Sequence, residues 1–244
     1  MTRMRKYADY VNRVHDNIKG REKVEWANYW YDFANKESNK RILLIGDSTV
    51  RMVRSTLSRI ACCPVDMIGT SSGLHDSLFI AQMDAFFSSD MYLYDIIYIQ
   101  LGHHSRVGDT GEEYNEDDYR IFKDDLNRLV SFLSQFTTKI VLLSVFYSVI
   151  CYSGHDENWK PSFVQKTVHS LLLRCGIKKE IPDGNANRVK SRKNEIIKQI
   201  ASERNVAFCD INQIMLDMRA RHIDHIHFEG QYIGVIVREY MKYL

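Results

Sequence analysis

Short apolar runs alternate along this chain with longer segments in which apolar residues recur every three or four positions. The runs have the length of buried strands, and they are Ile42 to Ile45, Val65 to Ile68, Ile96 to Leu101, Ile140 to Val145 and Val206 to Cys209. The longer segments have helical spacing, and they are Thr49 to Ile60, Asp76 to Phe87, Asp118 to Phe136, Val189 to Glu203 and Tyr232 to Tyr240. This alternation predicts a mainly parallel sheet of about five strands with helices on both faces, which is a three-layer α/β/α sandwich.

Two segments lie outside the alternation. Residues 1–38 have apolar positions at helical spacing, followed by a cluster of aromatic residues, namely Trp26, Tyr29, Trp30, Tyr31 and Phe33. We expect a helical addition that packs on the core, with a sugar-binding platform as the alternative use of the aromatic rings. Residues 146–188 form a long insertion after the fourth strand and are a candidate lid or acceptor-binding element.

The composition fits one domain over residues 1–244. Hydrophobic residues make up 45% of the chain, enough for a full core, and only 3 prolines argue against long linkers. No apolar run is long enough to span a bilayer, and the first residues lack the apolar core of a signal peptide, so we expect a cytoplasmic protein. A formal net charge of +2 gives no general case for a nucleic-acid partner.

A locally basic stretch stands out against this near-neutral total. The stretch from Arg174 to Lys193 contains seven Lys and Arg residues but only two acidic residues. We expect a solvated helix face, and attraction of an anionic polysaccharide or a phosphorylated carrier is the alternative.

One serine lies where the first predicted strand gives way to a helix. The sequence Gly46-Asp47-Ser48-Thr49-Val50 follows the apolar run directly, so Ser48 occupies the turn. The N–H groups after it form the electropositive start of a helix. A helix N-cap is the simplest role for such a serine. A nucleophile is the alternative, and it needs an imidazole to take its proton.

A carboxylate and an imidazole three residues apart lie near the other end of the chain. Asp224-His225-Ile226-His227 comes just before the C-terminal helical segment, so one loop can aim both groups at one point. A carboxylate fixes the tautomer of an imidazole, and the imidazole activates a serine hydroxyl. Ser48, Asp224 and His227 therefore predict a Ser-His-Asp triad. His225 beside His227 also permits a metal site with Asp224, but a metal there would leave Ser48 without a role.

With these motifs the chain resembles the SGNH hydrolases, also called GDSL-type esterases. Their GDS turn after the first strand matches Gly46-Asp47-Ser48, and their closing D-x-x-H motif matches Asp224 and His227. The resemblance implies a flavodoxin-like sandwich and catalysis by the three predicted triad residues. It also implies an oxyanion hole that includes the backbone N–H of Ser48.

The resemblance implies two further oxyanion donors. The glycine that the family has after its second strand matches Gly73, with Gly69 as the alternative. Where the family has an Asn after its third strand, this chain has Gly102-His103-His104, so His104 takes the place of the Asn, with His103 as the alternative. A neutral imidazole still donates one N–H. The residues expected to contact the substrate flank these groups, and they are Asp47, Gly102 and His103.

The Gly-His pair after the third strand is similar to the PC-esterase branch of this superfamily, which includes plant wall-polysaccharide acetyltransferases. Arg51 fits the GDS-x-x-R form of that branch, whereas its typical tryptophans are missing here. This second resemblance implies that the substrate is an acetyl ester of a carbohydrate.

A second serine motif competes with Ser48. Gly69-Thr70-Ser71-Ser72-Gly73 satisfies the G-x-S-x-G pattern of the α/β-hydrolase nucleophile elbow and follows a predicted strand. That fold normally places its elbow after several strands, and here only one strand precedes Val65. The three-residue spacing of Asp224 and His227 also favours Ser48 over Ser71.

The sequence thus predicts a serine esterase that acts on a small-molecule or glycan ester, most directly on a carbohydrate acetyl ester. A carbohydrate O-acetyltransferase with the same triad is one alternative, and it would use acetyl-CoA or another acyl donor. A non-catalytic carbohydrate-binding module of SGNH-like fold is the other. For hydrolysis we expect no metal and no cofactor, because no Cys-x-x-Cys or His-x-x-x-His ligand pair appears in the sequence.

Overall fold

Six strands form one sheet in the part of the chain that the structure describes. The structure is a computed structural model, and it describes residues 6–14, 24–36, 38–88, 93–104, 114–150 and 180–244. Across the sheet the strands are β1 (Ala27–Trp30), β3 (Val65–Thr70), β2 (Ile42–Gly46), β4 (Ile96–Gln100), β5 (Ile140–Leu143) and β8 (Ala207–Cys209). All neighbours are parallel except β1, which runs antiparallel to β3. The five parallel strands have the flavodoxin-like order, in which the first strand lies between the second and the third.

Helices cover both faces of this sheet. Within the described residues they are α1 (Ser48–Ala61), α2 (Ser77–Phe86), α3 (Glu116–Leu133), α4 (Gly184–Glu203), α5 (Ile211–Asp217) and α6 (Gly230–Met241). Successive strand residues point to opposite faces. Leu43 and Ile45 therefore pack in the core beneath α2, α3 and α4, whereas Ile42 and Leu44 pack beneath α1, α5 and α6. The predicted three-layer α/β/α sandwich is confirmed.

The parallel strands were predictable because they are buried on both faces. Every residue of β2, β3, β4 and β5 is buried. Strands covered by helices on both sides appear in sequence as uninterrupted apolar runs rather than as alternating patterns. None of the described helices is both long and apolar enough to cross a bilayer.

Capping side chains fix the points at which five of the described helices begin. A helix leaves its first N–H groups without a partner inside the helix, and an acidic or amide side chain accepts one of them. The capping residues of α1 to α5 are Asp47, Asp76, Asn115, Asp183 and Asp210. In α1 this cap defines the position of the first helical residue, Ser48.

The N-terminal segment differs from its prediction. Instead of a helical addition over 1–38, its described residues contain a 3₁₀ turn, Tyr7–Tyr10, and the edge strand β1. Aromatic residues favour strands, and without β1 the edge of β3 would lack a backbone partner. This strand is the reason that the sheet has six members rather than five. Tyr7 does pack on the core, because its buried ring lies 5.9 Å from the ring of Phe79 and 5.2 Å from that of Phe132, between centroids.

The predicted insertion over 146–188 falls largely outside the described residues. Its described ends form a short antiparallel pair, β6 (Val149–Ile150) and β7 (Ile181–Pro182). This pairing brings the two ends of the insertion together beside the carboxyl end of β5.

Two asparagines of α4 hold the segment that follows β5. The side chain of Asn194 accepts the N–H of Val145 at 2.7 Å and donates to the carbonyl of the same residue at 3.0 Å. Asn187 does the same with Ser148, at 2.7 and 2.9 Å. A side-chain amide can do this because it carries both a donor and an acceptor. These bonds replace the sheet pairing that the segment has left and fix it at the carboxyl edge of the sheet.

We expect a methyl group at Gly46 to destabilise the fold. A Cβ there would lie 2.6 Å from the carbonyl oxygen of Gln100 and 2.6 Å from Cγ1 of Val50, and the strand backbone cannot easily move away. Gly46→Ala should lower the free energy of unfolding by about 1–3 kcal/mol, measured by urea denaturation.

Gly234→Ala is the matched control for this substitution. Gly234 is inside α6, and apart from its chain neighbours and the backbone of that helix, no atom of the described residues lies within 4 Å of its Cβ position. Alanine there should leave stability unchanged or raise it by up to about 1 kcal/mol. Equal effects of the two substitutions would contradict the packing argument at Gly46.

Candidate active site

Ser48 lies where the strand order of the sheet reverses. It is the first residue of α1, directly after β2, and the chain runs from β2 to β3 on one side while β4 lies on the other. Ligands of such sheets bind at this point, in the crevice outside the carboxyl ends of the strands. Ser48 is partly exposed, whereas its neighbours Asp47 and Thr49 are buried. The turn therefore presents the Ser48 hydroxyl at the crevice.

The carboxylate of Asp47 fixes this turn from inside the protein. Its Oδ1 atom accepts hydrogen bonds from the N–H of Thr49 at 2.8 Å and from the hydroxyl of Thr49 at 2.7 Å. The same hydroxyl oxygen lies 2.8 Å from Oε1 of Gln100, whose amide nitrogen donates to the Ser144 carbonyl at 2.9 Å. This geometry disfavours the predicted contact of Asp47 with the substrate. The side chain is 1% exposed and caps α1 beneath Ser48.

The loop before α6 brings Asp224 and His227 to Ser48. The Nε2 atom of His227 lies 2.6 Å from Oγ of Ser48, and its Nδ1 atom lies 2.6 Å from Oδ2 of Asp224. When Nδ1 carries the proton, the imidazole donates to Asp224 and Nε2 accepts from the Ser48 hydroxyl. The three residues singled out by the two sequence motifs thus meet in one hydrogen-bonded chain.

Asp224 is held in its ionised form. Its Oδ1 atom accepts the backbone N–H groups of Ile226 at 2.9 Å and of His227 at 2.8 Å. Burial raises the pKa of the carboxyl group, but the hydrogen bonds from the His227 ring and from the two backbone N–H groups outweigh burial and bring the pKa well below its usual range. An ionised carboxylate keeps the neighbouring imidazole in one tautomer and stabilises its protonated form.

Contacts within the loop and behind it fix the direction of His227. His222 and Phe228 form an antiparallel bridge, and the N–H of Ile223 donates to the His227 carbonyl at 2.7 Å. The Glu180 carboxylate accepts the N–H of His222 at 2.6 Å, and its other oxygen lies 2.9 Å from the His222 Nδ1. The loop is therefore closed on itself and tied to the chain just before β7.

His225 is not part of this hydrogen-bonded chain, although its Nδ1 atom lies 4.0 Å from Oδ1 of Asp224. Its side chain is 67% exposed, as expected for a residue at the rim of the loop. Among the residues that the structure describes, no group of three His, Cys, Asp or Glu side chains is placed to hold a metal ion.

The N-terminal segment braces the loop that follows β3, and it uses Ser71 to do so. The N–H of Trp26 donates to Oγ of Ser71 at 2.9 Å, and the N–H of Ser71 donates to the Trp26 carbonyl at 3.1 Å. The Ser71 hydroxyl in turn donates to the Glu25 carboxylate at 2.6 Å. Ser71 is buried, and its hydroxyl faces a carboxylate rather than an imidazole. The geometry therefore disfavours the nucleophile-elbow interpretation of G-x-S-x-G.

Gly73 and Gly69 occupy different kinds of position. Gly73 lies in the loop beyond the carboxyl end of β3, the strand beside β2, and Ser48 follows the carboxyl end of β2. Gly69 lies inside β3 in register with Gly46, and its Cβ position is 3.4 Å from the Trp26 ring. Gly69 thus provides room for close packing, and Gly73 remains the candidate oxyanion donor.

Gly102 turns the chain at the carboxyl end of β4, on the other side of β2 from Gly73. Its φ is +143°, which side chains rarely allow, and a Cβ there would lie 2.7 Å from Cγ2 of Val145. The turn carries His103 and His104 beyond the end of the strand. A glycine at this position is therefore required by the backbone, whatever its role toward a substrate.

The ring nitrogens of His103 are both buried, although the residue as a whole is partly exposed. No hydrogen-bond partner for them lies among the described residues. Burial, and after it the ammonium of Lys190, holds the pKa of His103 well below its ordinary value. The ring is neutral at pH 7, so one of its nitrogens is a donor and the other an acceptor.

Two lysines expected on a solvated helix face are instead buried at this edge of the sheet. Lys190 is 8% exposed and donates to the Ser148 hydroxyl, and Lys193 is 2% exposed and donates to the Gly102 carbonyl at 2.8 Å. Lys190 and Lys193 precede the buried Ile197 by seven and four residues, which is about two turns and one turn of helix, so they share its face of α4. The sequence shows this spacing, but the charge of the two lysines favoured a solvent-exposed position.

Comparison with known proteins establishes the fold. No family model matches the chain, and no curated protein is significantly similar to it in sequence. A catalytic mutant of Axe2, an acetylxylan esterase from Geobacillus stearothermophilus, aligns over 85% of this chain and 94% of that chain, with a TM-score of 0.51 and 14% identity. The acetyl xylan esterase AlAXEase aligns over 83% of this chain and 98% of that chain, with a TM-score of 0.51 and 13% identity.

A third similar structure is LAE5, an alpha/beta hydrolase enzyme from the metagenome of Lake Arreo, Spain. It aligns over 85% of this chain and 95% of that chain, with a TM-score of 0.52 and 11% identity. At such identities the likeness establishes the fold alone. The likeness agrees with the predicted three-layer α/β/α fold.

We expect a fluorophosphonate reagent to modify Ser48 and no other serine. Of the serines in the part of the chain that the structure describes, Ser48 is the one whose Oγ meets an imidazole, whereas the Ser71 hydroxyl meets a carboxylate. Intact-mass measurement and peptide mapping should locate a single adduct at position 48.

Ser48→Ala should abolish the adduct, and Ser88→Ala, at an exposed surface position, should leave it unchanged. An adduct at Ser71 would support the α/β-hydrolase alternative. A wild-type chain that forms no adduct would support the non-catalytic binding module.

Proposed function

We propose that this chain is a serine-dependent esterase that removes acetyl groups from a carbohydrate. The observation that carries the proposal is the hydrogen-bonded chain from Ser48 Oγ through His227 to Asp224, with both distances at 2.6 Å. Activation of a serine hydroxyl requires this arrangement of base and orienting carboxylate. The similar solved structures named as acetyl xylan esterases support a carbohydrate acetyl ester as the substrate class.

In the proposed acylation step, Oγ of Ser48 attacks the carbonyl carbon of the ester while Nε2 of His227 takes the hydroxyl proton. Asp224, already ionised, stabilises the imidazolium through Nδ1. The tetrahedral intermediate collapses, and His227 gives its proton to the leaving sugar oxygen. A water molecule then attacks the acetyl-Ser48 ester with His227 again as the base, which releases acetate and restores the free hydroxyl.

The negative charge that develops on the carbonyl oxygen needs hydrogen-bond donors held in place beforehand. We assign this role to the backbone N–H groups of Ser48 and Gly73 and to the side chain of His104. These donors come from the ends of the three adjacent strands β2, β3 and β4. We keep Gly102 and His103 as candidate substrate contacts on the β4 side.

The proposed hydrolysis needs neither a metal nor a cofactor, because nucleophile and base are both side chains of this chain. An O-acetyltransferase would use the same acyl-enzyme but would take the acetyl group from acetyl-CoA or another acyl donor and pass it to a sugar hydroxyl. The Gly102-His103 pair is similar to the Gly-His segment of the PC-esterase branch, and this resemblance supports the second function.

We expect alanine substitution of the two histidines in the D-x-x-H loop to have very different effects on kcat/KM. His227→Ala should lower kcat/KM about a thousandfold or more, and Asp224→Asn should have a similar or smaller effect. His225→Ala, at the exposed matched position, should be nearly silent. Equal damage from His225→Ala and His227→Ala would show that the base is wrongly assigned.

Hydrolysis and transfer are distinguished by the fate of the acetyl group. We expect nitrophenol release from 4-nitrophenyl acetate to match the free acetate formed, with or without a mixture of glycans, because water resolves the acyl-enzyme. The products are quantified by mass spectrometry. If acetylated glycan accumulates and free acetate falls, with 4-nitrophenyl acetate or acetyl-CoA as donor, the same three residues serve a transferase.

A further inference from the structure

The ammonium group of Lys193 is buried at the carboxyl edge of the sheet. It donates a hydrogen bond of 2.8 Å to the Gly102 carbonyl oxygen. It also lies over the rings of Tyr114 and Phe122, 4.5 and 5.3 Å from their centroids. Attraction between the cation and the ring faces, together with a charge-assisted hydrogen bond, offsets the cost of removing the charge from water. Lys193 is therefore a fixed cation and not a mobile surface lysine.

The bond from Lys193 reaches the backbone at an unusual turn. Among the described residues, Gly102 is the glycine with positive φ, and Val145 packs against it too closely for a side chain. Such a turn has few backbone partners of its own, because it lies just beyond the last ladder pair of β4. The ammonium supplies a partner and so determines which way the Gly102 carbonyl points.

The direction of this carbonyl affects the donors that follow it. The Gly102 carbonyl and the His103 N–H belong to one planar peptide unit and point in opposite directions. A cation bound to the oxygen polarises the unit and makes the N–H a stronger donor. The same plane sets the course of the chain toward His104, the residue that stands where SGNH hydrolases have their Asn.

We propose that Lys193 is a positioning residue of the oxyanion hole, and that it acts by holding the Gly102 carbonyl so that His103 and His104 face the reacting ester. This inference rests on the proposed esterase function and extends it to a residue outside the GDS and D-x-x-H motifs. Lys193 acts through the backbone of Gly102 and transfers no proton.

The test compares the kinetics of four variants with those of the wild type. We measure kcat, KM and Tm with 4-nitrophenyl acetate for the full chain carrying Lys193→Met, Lys193→Arg, Lys193→Gln or Lys198→Met. Methionine keeps the length of the side chain without its charge, and Lys198 is an exposed lysine of the same helix that serves as the matched control.

We expect Lys193→Met to lower kcat about tenfold to a hundredfold with KM nearly unchanged, because oxyanion contacts strengthen in the transition state. Lys193→Arg keeps a cationic donor and should recover part of the loss. Lys198→Met should match the wild type. A lysine that only stabilised the fold would lower Tm and leave the kcat of the folded protein unchanged.

A double-mutant cycle with His104→Ala shows whether the two residues act together. If Lys193 works through the loop that carries His104, the loss in the double variant should be smaller than the product of the two single losses. Fully multiplicative losses would show that Lys193 acts elsewhere, and this result would overturn the inference.

An unchanged kcat in Lys193→Met would also overturn the inference while leaving the proposed function intact. If Lys193→Met does not fold, Lys193→Gln decides in its place, because glutamine lacks the charge and ends one atom short of the ammonium that holds the Gly102 carbonyl, so an unchanged kcat has the same meaning. A wild-type protein that neither hydrolyses the ester nor reacts with fluorophosphonate would overturn the proposed function, and the inference with it.

Discussion

The position of the Ser48 hydroxyl depends on the carboxylate of Asp47. Because that side chain caps α1 from inside the protein, the first turn of the helix cannot unwind without breaking the buried hydrogen bond between Oδ1 of Asp47 and the N–H of Thr49. Thr49 and Gln100 join the same carboxylate to the backbone beyond β5, so the ends of three neighbouring strands are held as one unit. A hydroxyl fixed in this way meets its imidazole in one geometry, which is the condition for efficient reaction of positioned groups.

Each loop around this centre is held by an element other than its own strand. Glu25 and Trp26 bind the loop after β3, and α4 binds the turn after β4 through Lys193 and the segment after β5 through its asparagines. Backbone groups that leave a sheet need new partners, and here side chains supply them. Under the proposed function, this rim is built in advance, so its donors do not have to reorganise as charge develops.

The sequence predicted those parts of the fold and site that local patterns encode. Buried strands such as β2 appear in the sequence as apolar runs. Two short motifs contain the serine, carboxylate and imidazole of the candidate site, and the residue types in them indicate the chemistry of Ser48, Asp224 and His227. The strand β1 was missed because its residues are mostly exposed and it is defined by pairing with β3. Lys193 was missed because charge predicts solvent, and only contacts with distant residues show its burial. Asp47 was assigned to the substrate because a motif shows which residues are adjacent, but not which way they face.

The hydrogen bond between Ser48 and His227 joins two residues 179 positions apart. During synthesis Ser48 leaves the ribosome well before His227, whose loop leads into α6. Contacts of such long sequence separation form late in folding, because closing the intervening chain costs entropy before the contact is gained. Under the proposed function, a growing or incompletely folded chain thus carries an unreactive serine, and hydrolytic activity begins only once the segments that carry Ser48 and His227 have docked on the same sheet.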